Sequence, residues 1–397
     1  MCLPYVMLLG GWMMGVVMLS FAAVLAYYSM KILFMSSTKT GIYSYGALLS
    51  HATAPIAGPI LDVVIVLYGS GVVIAYFVFL GDFMPSLAAG LGIDFLTNRT
   101  VCLIVCGILA IPFALPRKLS ALQYVSPIST IALVMTAIVA VVRLPRMSAE
   151  LTPEESHLDV ALLGLPLLKC FTISAFAFIA HMNVVSVAGE LIHPTLQRAS
   201  KVAFRSAVIQ LIFYLVIGIS GYISFGQTVN QNFVTNYPSD DSLIILCRFL
   251  LTLTIFFAIP INTNPTANAF VHLLLTTGIA PEPSISIDME APLVSHVTPT
   301  NISLEAEPLK NTRIITAIVV IIQGMIVAIY APGVADVISI LGGSFGTLIM
   351  LVCPAIIYCS VFREEMESRK SKFMIGLLGG ASCVSAVAVF ATVMKWI

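Results

Sequence analysis

Charge is what this 397-residue chain has least of. Asp, Glu, Lys and Arg make up only 10% of it, against about 25% in an ordinary soluble domain. That scarcity excludes most soluble enzymes and disordered proteins, which need charge to cover their surfaces. A basic excess is also missing: 19 Lys and Arg face 19 Asp and Glu, so nothing attracts a polyanion and nucleic acid is excluded as a partner. Close cysteine pairs are missing too. The eight cysteines, Cys2, Cys102, Cys106, Cys170, Cys247, Cys353, Cys359 and Cys383, form no CxxC and sit mostly in apolar runs, where a free thiol serves as a small hydrophobe. Cys170 and Cys247 lie toward one membrane face, yet free thiols are the expected state. There is no HExxH, no GxSxG and no carboxylate pair within one apolar run. No enzyme, cofactor or metal is therefore implied.

What the chain has instead is apolar surface. It is 59% hydrophobic with a mean hydropathy of +1.03. A helix crosses about 30 Å of hydrocarbon with roughly 20 apolar residues. Ten runs of that kind are present, at 12–34, 56–80, 101–116, 119–142, 168–190, 204–225, 243–270, 313–330, 334–360 and 373–396, with a shorter piece at 1–9 ahead of them. The runs are apolar all round and too long for strands, which predicts an all-α membrane protein and not a β-barrel. The run 12–34 lacks a basic leader and is too long for a signal peptide.

The few basic residues are sorted. Lys31, Lys39, Arg117, Lys118, Arg198, Lys201, Arg205, Lys310, Arg313, Arg363, Arg369, Lys370 and Lys372 fall on one side, 13 of the 19. Arg99, Arg143, Arg146, Lys169, Arg248 and Lys395 fall on the other. The positive-inside rule makes the first side cytoplasmic, so both termini face outward. An outward N-terminus that opens on half an apolar segment suggests a chain starting part-way through a helix. Residues 276–312, rich in Pro, Ser, Thr and Glu, read as a flexible cytoplasmic loop. The sequons Asn98-Arg99-Thr100 and Asn301-Ile302-Ser303 read as chance matches, one abutting the membrane and the other on the wrong side of it.

Irregular backbone survives at membrane depth only where it is buried in protein or lines a cavity, and such interruptions point to transport sites. In 168–190, Ser174, the small Ala175 and Ala177, the aromatic Phe176 and Phe178, then His181 and Asn183 mark a substrate-binding break; the alternative is an ordinary helix bonded to its neighbours. Asp62 is a carboxylate within an apolar run, a candidate for a proton, a cation or a substrate amine unless it reaches interfacial water. Beyond it, Tyr68-Gly69-Ser70-Gly71 suits close helix packing. Pro260 and Pro265 either free carbonyls for an ion or, the reading favoured here, end their span. Asp336 and Glu190 read as interfacial. Gly342-Gly343-Ser344-Phe345-Gly346 fits helix packing or a flexible gate and is not a phosphate loop.

Taken together, these residues resemble the amino acid/auxin permease family, and the resemblance covers nearly the whole chain. Leu3-Pro4-Tyr5 with Gly10-Gly11 looks like the end of the family's first helix. Tyr43-Ser44-Tyr45 and later Gly81-Asp82 resemble the approach to and body of its third. Ala175-Phe176-Ala177-Phe178, His181, Glu190-Leu191 and Pro194-Thr195 are the most specific match, to the sixth helix and the loop after it. Gly221-Tyr222-Ile223-Ser224-Phe225-Gly226 resembles the end of the seventh. Tyr237-Pro238, Arg248 and the two prolines resemble the eighth. Members of protozoan parasites look closer than the animal sodium-coupled branch.

The resemblance implies a leucine-transporter-like bundle with a five-plus-five inverted repeat and substrate between broken first and sixth helices. Here that means ten full transmembrane helices plus a partial first, in a single domain. Residues 1–142 form the first repeat, 168–360 the second, and 373–396 an extra helix. Ser174, Ala175, Phe176, Ala177, Phe178 and Tyr68 are the implied substrate-binding residues. Asp62, His181, Thr252 and Thr254 are candidates for coupling a proton or ion. The family's Gly-rich break in helix one precedes the Leu-Pro segment, and this sequence begins at Met1-Cys2-Leu3-Pro4. Phe256 and Ala258 stand where sodium-coupled members carry Thr, so proton coupling or facilitated exchange is expected. The implied function is transport of a free neutral or cationic amino acid by alternating access. The lipid bilayer and a co-transported proton are its partners, in a plasma or lysosome-like membrane. A non-transporting relative or amino acid sensor is the alternative.

Overall fold

The computed structural model describes residues 1–90, 92–115, 125–191, 195–279, 307–331, 333–365 and 368–394. Regular structure among them is entirely helical. In chain order the helices are α1 (Leu3–Thr40), α2 (Tyr45–Ala52), α3 (Ala57–Gly90), α4 (Arg99–Ala114) and α5 (Val125–Ala149). Then come α6 (Pro166–Ala177), α7 (His181–Glu190), α8 (Leu196–Phe225), α9 (Ser242–Thr276), α10 (Glu307–Tyr330), α11 (Val334–Leu341), α12 (Cys353–Val361) and α13 (Arg369–Val393). Wide π-helical turns, Gly342–Gly346 and Leu348–Val352, join α11 to α12 in one span. Nine spans among the described residues are long and apolar enough to cross a bilayer, and α4, with 16 residues, is a shorter apolar helix. Each apolar run read from the sequence falls on a helix, although the start of 119–142 and most of 276–312, with its sequon at Asn301, lie outside the described residues.

Helix ends follow from local chemistry. A helix start leaves amides without intrahelical acceptors, and a short polar side chain just before it can take them. Asn98 does so for α4, accepting from the amides of Thr100 (2.9 Å) and Val101 (3.3 Å), so the Asn98 amide of the first sequon serves as a cap. Asp241 caps α9 through the Leu243 and Ile244 amides, and Thr195 caps α8 through that of Arg198. Burial pushes the Asp241 carboxyl up, but the Arg143 guanidinium and those two amides outweigh it and hold the group below the usual carboxylate range.

One span deviates sharply. Within α1, Gly11 adopts φ 77 and ψ 158, so the short piece at 3–10 and the long run after it meet at a kink. Segment 159–162 runs into this gap. Trp12 and Met13 donate their amides to the carbonyls of Asp159 and Val160 at 3.0 Å, and Leu162 donates to Gly10 at 2.8 Å. A Cβ on residue 11 would stand 2.7 Å from the Val160 backbone. Positive φ and backbone contact therefore both require glycine here.

Close packing sets the rest. α1 packs on α8 and α6, α3 on α9, α4 on α10, and α5 bridges α8 and α9. Gly69 and Gly71 lie against Thr266 and Leu341, so this small-residue stretch brings α3 close to α9 and α11. Gly342, Gly343 and Gly346 lie against Thr172, Phe176 and Ile179, which gives the glycine-rich run a packing role against α6 and the turn after it. All eight cysteines, Cys170 and Cys247 included, are free thiols.

Gly11→Ala should destabilise the protein by about 2–4 kcal/mol, combining a strained backbone with a steric clash. Gly41→Ala should cost only about 1–2 kcal/mol, because Gly41 has φ 71 but nothing within 4 Å of the added carbon. Thermal melting of the detergent-solubilised variants should rank them in that order.

Candidate functional site

The span 168–190 is interrupted. α6 stops at Ala177 and α7 starts at His181, leaving Phe178–Ala180 outside helical geometry. The break begins at the last residue of the Ser174–Phe178 stretch around which the family resemblance puts it, and extends two residues past it. Phe178 and Ile179 donate to the carbonyls of Ala175 and Phe176 (both 3.1 Å), tightening the last turn of α6. No proline or glycine sits at this point, so neighbours hold the break. The Tyr214 hydroxyl of α8 donates to the Ala177 carbonyl at 2.9 Å. The Phe178 ring meets the Tyr214 ring edge-on at 5.1 Å, and Ile179 rests on Gly346. Ala180 precedes α7 without a side-chain cap. The amides of His181 and Met182 thus begin the helix ahead of its first intrahelical bonds.

A cavity of about 330 Å³ opens beside this break, within the roughly 300–1,000 Å³ range of small-molecule sites. α3 supplies Tyr68, Val72 and Tyr76. The break supplies Phe176, Ala177 and Ala180, and α7 supplies Met182 and Asn183. Tyr214 and Asn262 approach from α8 and α9, and Met1–Leu3 form a further wall. Asn262 donates to the Tyr76 hydroxyl (3.3 Å) and to the Ala258 carbonyl (3.0 Å). The cavity therefore has aromatic walls, a few amide and hydroxyl groups, two helix ends and no charged side chain among its described lining residues.

Three of the six expected substrate residues line this space: Tyr68, Phe176 and Ala177, with the Tyr68 and Phe176 rings 6.1 Å apart. Ser174, Ala175 and Phe178 do not; all three are buried behind it, and the Ser174 hydroxyl has no hydrogen-bond partner. His181 is fully buried and faces α1, its Nε2 2.7 Å from the Ser29 hydroxyl. Asp62 is 7% exposed and lies off the cavity, its Oδ2 2.6 Å from Nδ1 of His272 on α9. The hydroxyls of Thr252 and Thr254 are buried and unpartnered.

The prolines of α9 do not end their span, contrary to expectation. The helix runs on to Thr276. Asn262, Thr263, Asn264 and Thr266 each return a side-chain donor to the carbonyl four residues back, at 2.8–3.1 Å; the acceptors are Ala258, Ile259, Pro260 and Asn262, not Phe256 and Ile261, whose carbonyls the prolines leave without an amide. Ending the run at 270 hid His272, and treating Asn262 as a helix terminus hid its place in the cavity. Tyr76 and Tyr214 carried no sequence signal beyond being aromatic within an apolar run.

Ion pairs crowd one end of the cavity. Lys169 on α6 meets Asp336 on α11 at 2.5 Å, with side chains 19% and 18% exposed. Gln231 donates to the same carboxylate at 3.4 Å. Asp336, in the first turn of α11, is thus half-buried and paired; the Glu190 side chain lies outside the described residues. Ile173, one turn below Lys169, and Ile338, two residues after Asp336, line the cavity. The pair therefore ties α6 to α11 just outside it. Asp82 meets Arg99 (3.0 Å) and Asn232 (3.2 Å) at the same level. Buried Arg248 donates to the carbonyls of Val234 (3.0 Å) and Tyr237 (2.8 Å).

Stacked apolar helices around a polar, partly unwound centre define a multi-pass integral membrane protein with a small-molecule cavity. Comparison with known proteins specifies the class. The chain belongs to the family described as "Transmembrane amino acid transporter protein", whose profile matches residues 1–397. It is 30% identical over 280 residues to the Toxoplasma gondii protein named for amino acid transporter AAT1, a match covering 70% of this chain and 39% of that protein. The Plasmodium falciparum protein of the same name is 26% identical over 379 residues, 90% of this chain and 62% of that one. Vacuolar amino acid transporter 6 of Saccharomyces cerevisiae is 25% identical over 389 residues, 90% of this chain and 85% of that one. The chain thus spans only about two fifths to three fifths of the length of these protozoan relatives.

Lys169→Ala and Asp336→Ala should each lower thermal stability, and together by less than their sum. Leaving one half-buried charge unpaired should cost more than removing both. The coupling energy of this double-mutant cycle should be about 1–3 kcal/mol, and a coupling near zero would show the pair to be idle.

Proposed function

We propose that this protein moves free amino acids across a membrane by alternating access. The observation that carries the reading is the uncapped break at Phe178–Ala180 beside a cavity of about 330 Å³. An amino acid zwitterion needs an anion site and a cation site a few ångströms apart. The start of α7 is the positive end of a helix and suits a carboxylate; the last carbonyls of α6 are the negative end and suit an ammonium group. Phe176, Tyr68 and Val72 shape the side-chain pocket, with the Asn262–Tyr76 pair as its polar end. A lining without charged side chains favours a neutral amino acid over a cationic one. No bond is made or broken in this task, so the protein is not an enzyme.

The packing of equivalent helices supports an inverted repeat of 1–142 and 168–360, with 373–396 as an added helix. With α1 as the end of the first span plus the second, its contacts with α6 and α8 join spans one with six and two with seven. The α3–α9 and α4–α10 contacts join three with eight and four with nine.

Coupling to a proton, or none, fits better than coupling to sodium. Phe256 and Ala258 bring no side-chain oxygen to α9. Thr252 and Thr254 are two residues apart, about 200° around the helix, so they do not converge on one ion. The Asp62–His272 pair, at 2.6 Å between α3 and α9, is a proton carrier in form. It is neutral overall with one shared proton and carries a single negative charge without it. A plasma or lysosome-like membrane provides the proton gradient.

Proteoliposomes containing the full chain test this with labelled neutral L-amino acids. Substrate counterflow is expected, reduced at least about tenfold in Ala177→Phe, whose added ring fills the cavity. Absence of counterflow in the unaltered protein would leave the sensor reading in its place. Asp62→Asn should retain counterflow, which moves no net proton, and lose accumulation driven by a pH gradient. Accumulation at the original level in Asp62→Asn would exclude this pair from coupling.

A further inference from the structure

Three basic side chains at one end of the bundle differ from those at the other. On the outward side Arg99 is held by Asp82 (3.0 Å), Arg143 by Asp241 (2.8 Å), Arg146 by Glu150 (3.3 Å) and Lys169 by Asp336 (2.5 Å). Arg248 there is buried against two carbonyls. On the opposite side, the one the basic residues assign to the cytoplasm, Lys31, Lys201 and Arg205 make no ion pair among the described residues. They belong to α1 and α8, which pack along each other and contain no Asp or Glu.

These three cations border one aromatic cluster. The Tyr27 ring meets the Tyr28 ring at 5.2 Å and the Phe204 ring at 5.7 Å, edge-on. Lys31 Nζ lies 5.9 Å from the centre of the Tyr27 ring. The Tyr27 hydroxyl is 3.2 Å from that of Ser200. Only one of those two hydroxyls donates to the other, which leaves one O–H for an outside acceptor. Lys201 and Arg205 follow Ser200 and Phe204 directly and are one turn apart, both exposed, and Phe204 itself is 55% exposed. Aromatic side chains gather at the headgroup level of a bilayer, and unpaired bases there attract anionic lipid.

We propose that the cleft between α1 and α8 binds the headgroup of an acidic phospholipid. Lys31, Lys201 and Arg205 surround its phosphate, the free hydroxyl of the Tyr27–Ser200 pair donates to it, and Phe204 and Tyr28 lie under its acyl chains. The exposed ring of Phe204 beside the cations favours a lipid over a free phosphate compound, which has no apolar part to cover it.

The test uses the full chain in two measurements. Native mass spectrometry scores lipid retained from mixtures of phosphatidylcholine with about one acidic lipid in ten, either phosphatidylserine or a phosphatidylinositol phosphate. Thermal melting in nanodiscs of the same compositions scores stabilisation, with soluble inositol phosphate as a separate arm. The unaltered protein should retain acidic lipid and melt higher in its presence. K201A/R205A should lose at least about tenfold in retention, and Lys31→Gln should lose part of it. R205K should keep it, separating charge from folding. K370A/K372A, which removes two exposed bases at the start of α13, should behave as the unaltered protein. Equal retention by K201A/R205A, or equal loss in K370A/K372A, would overturn the site in favour of diffuse attraction. Soluble inositol phosphate matching the lipid in stabilisation would overturn the lipid assignment.

Discussion

Hydrocarbon supplies no hydrogen bonds, so every backbone amide and carbonyl within the membrane must find a partner inside the protein. Helices satisfy that rule along nearly the whole of this chain. It is broken openly at Gly11 and at Phe178–Ala180, and the two are handled differently. At Gly11 the gap is closed by main chain: segment 159–162 lends carbonyls to Trp12 and Met13 and takes one from Gly10. At Phe178–Ala180 a single outside donor, the Tyr214 hydroxyl, reaches the end of α6, and the start of α7 stays uncapped toward a cavity. The first break is built as structure. The second is left with binding capacity, which is why it anchors the functional reading.

The same rule explains α9. Two prolines five residues apart would ordinarily weaken a helix at mid-span. Here four polar side chains in a row of turns return to carbonyls one turn behind them. The helix continues, and Asn262 has a second proton to give to Tyr76 on the cavity wall. A residue between the prolines thus carries polarity to the site. From sequence alone, a polar turn within a helix and a helix terminus look alike, because both place Asn and Thr beside Pro.

That ambiguity marks what was legible in the residues. Spans were legible because hydrocarbon thickness imposes a length and a composition, and those are one-dimensional properties. The presence of a break near Phe176 was legible from small and aromatic residues close to polar ones. Its position was not, because tertiary contacts to Tyr214 and Gly346 determine it. Orientation of side chains around a helix was legible least. Ser174 shares α6 with Phe176, and Phe178 follows two residues on, yet neither lines the cavity, and a run apolar all round has no periodicity to reveal which face is inward. Partners distant in sequence stayed hidden for the same reason: Asp62 was visible alone, but His272 is 210 residues away.

Charge shows how three dimensions extend a one-dimensional rule. Counting basic residues on each side sorts them 13 to 6, yet a count treats every charge as equal. In the folded chain four of the six, Arg99, Arg143, Arg146 and Lys169, are paired with Asp82, Asp241, Glu150 and Asp336. Those pairs also bind together elements above the cavity, joining α3 to α4, α5 to α9 and α6 to α11. Among the described residues, Lys31, Lys201 and Arg205 on acid-free α1 and α8 have no ion-pair partner. A count alone therefore misses what matters to a leaflet of anionic lipid, which meets unpaired charge and not total charge. For Lys31, Lys201 and Arg205 that difference is the ground of the lipid proposal.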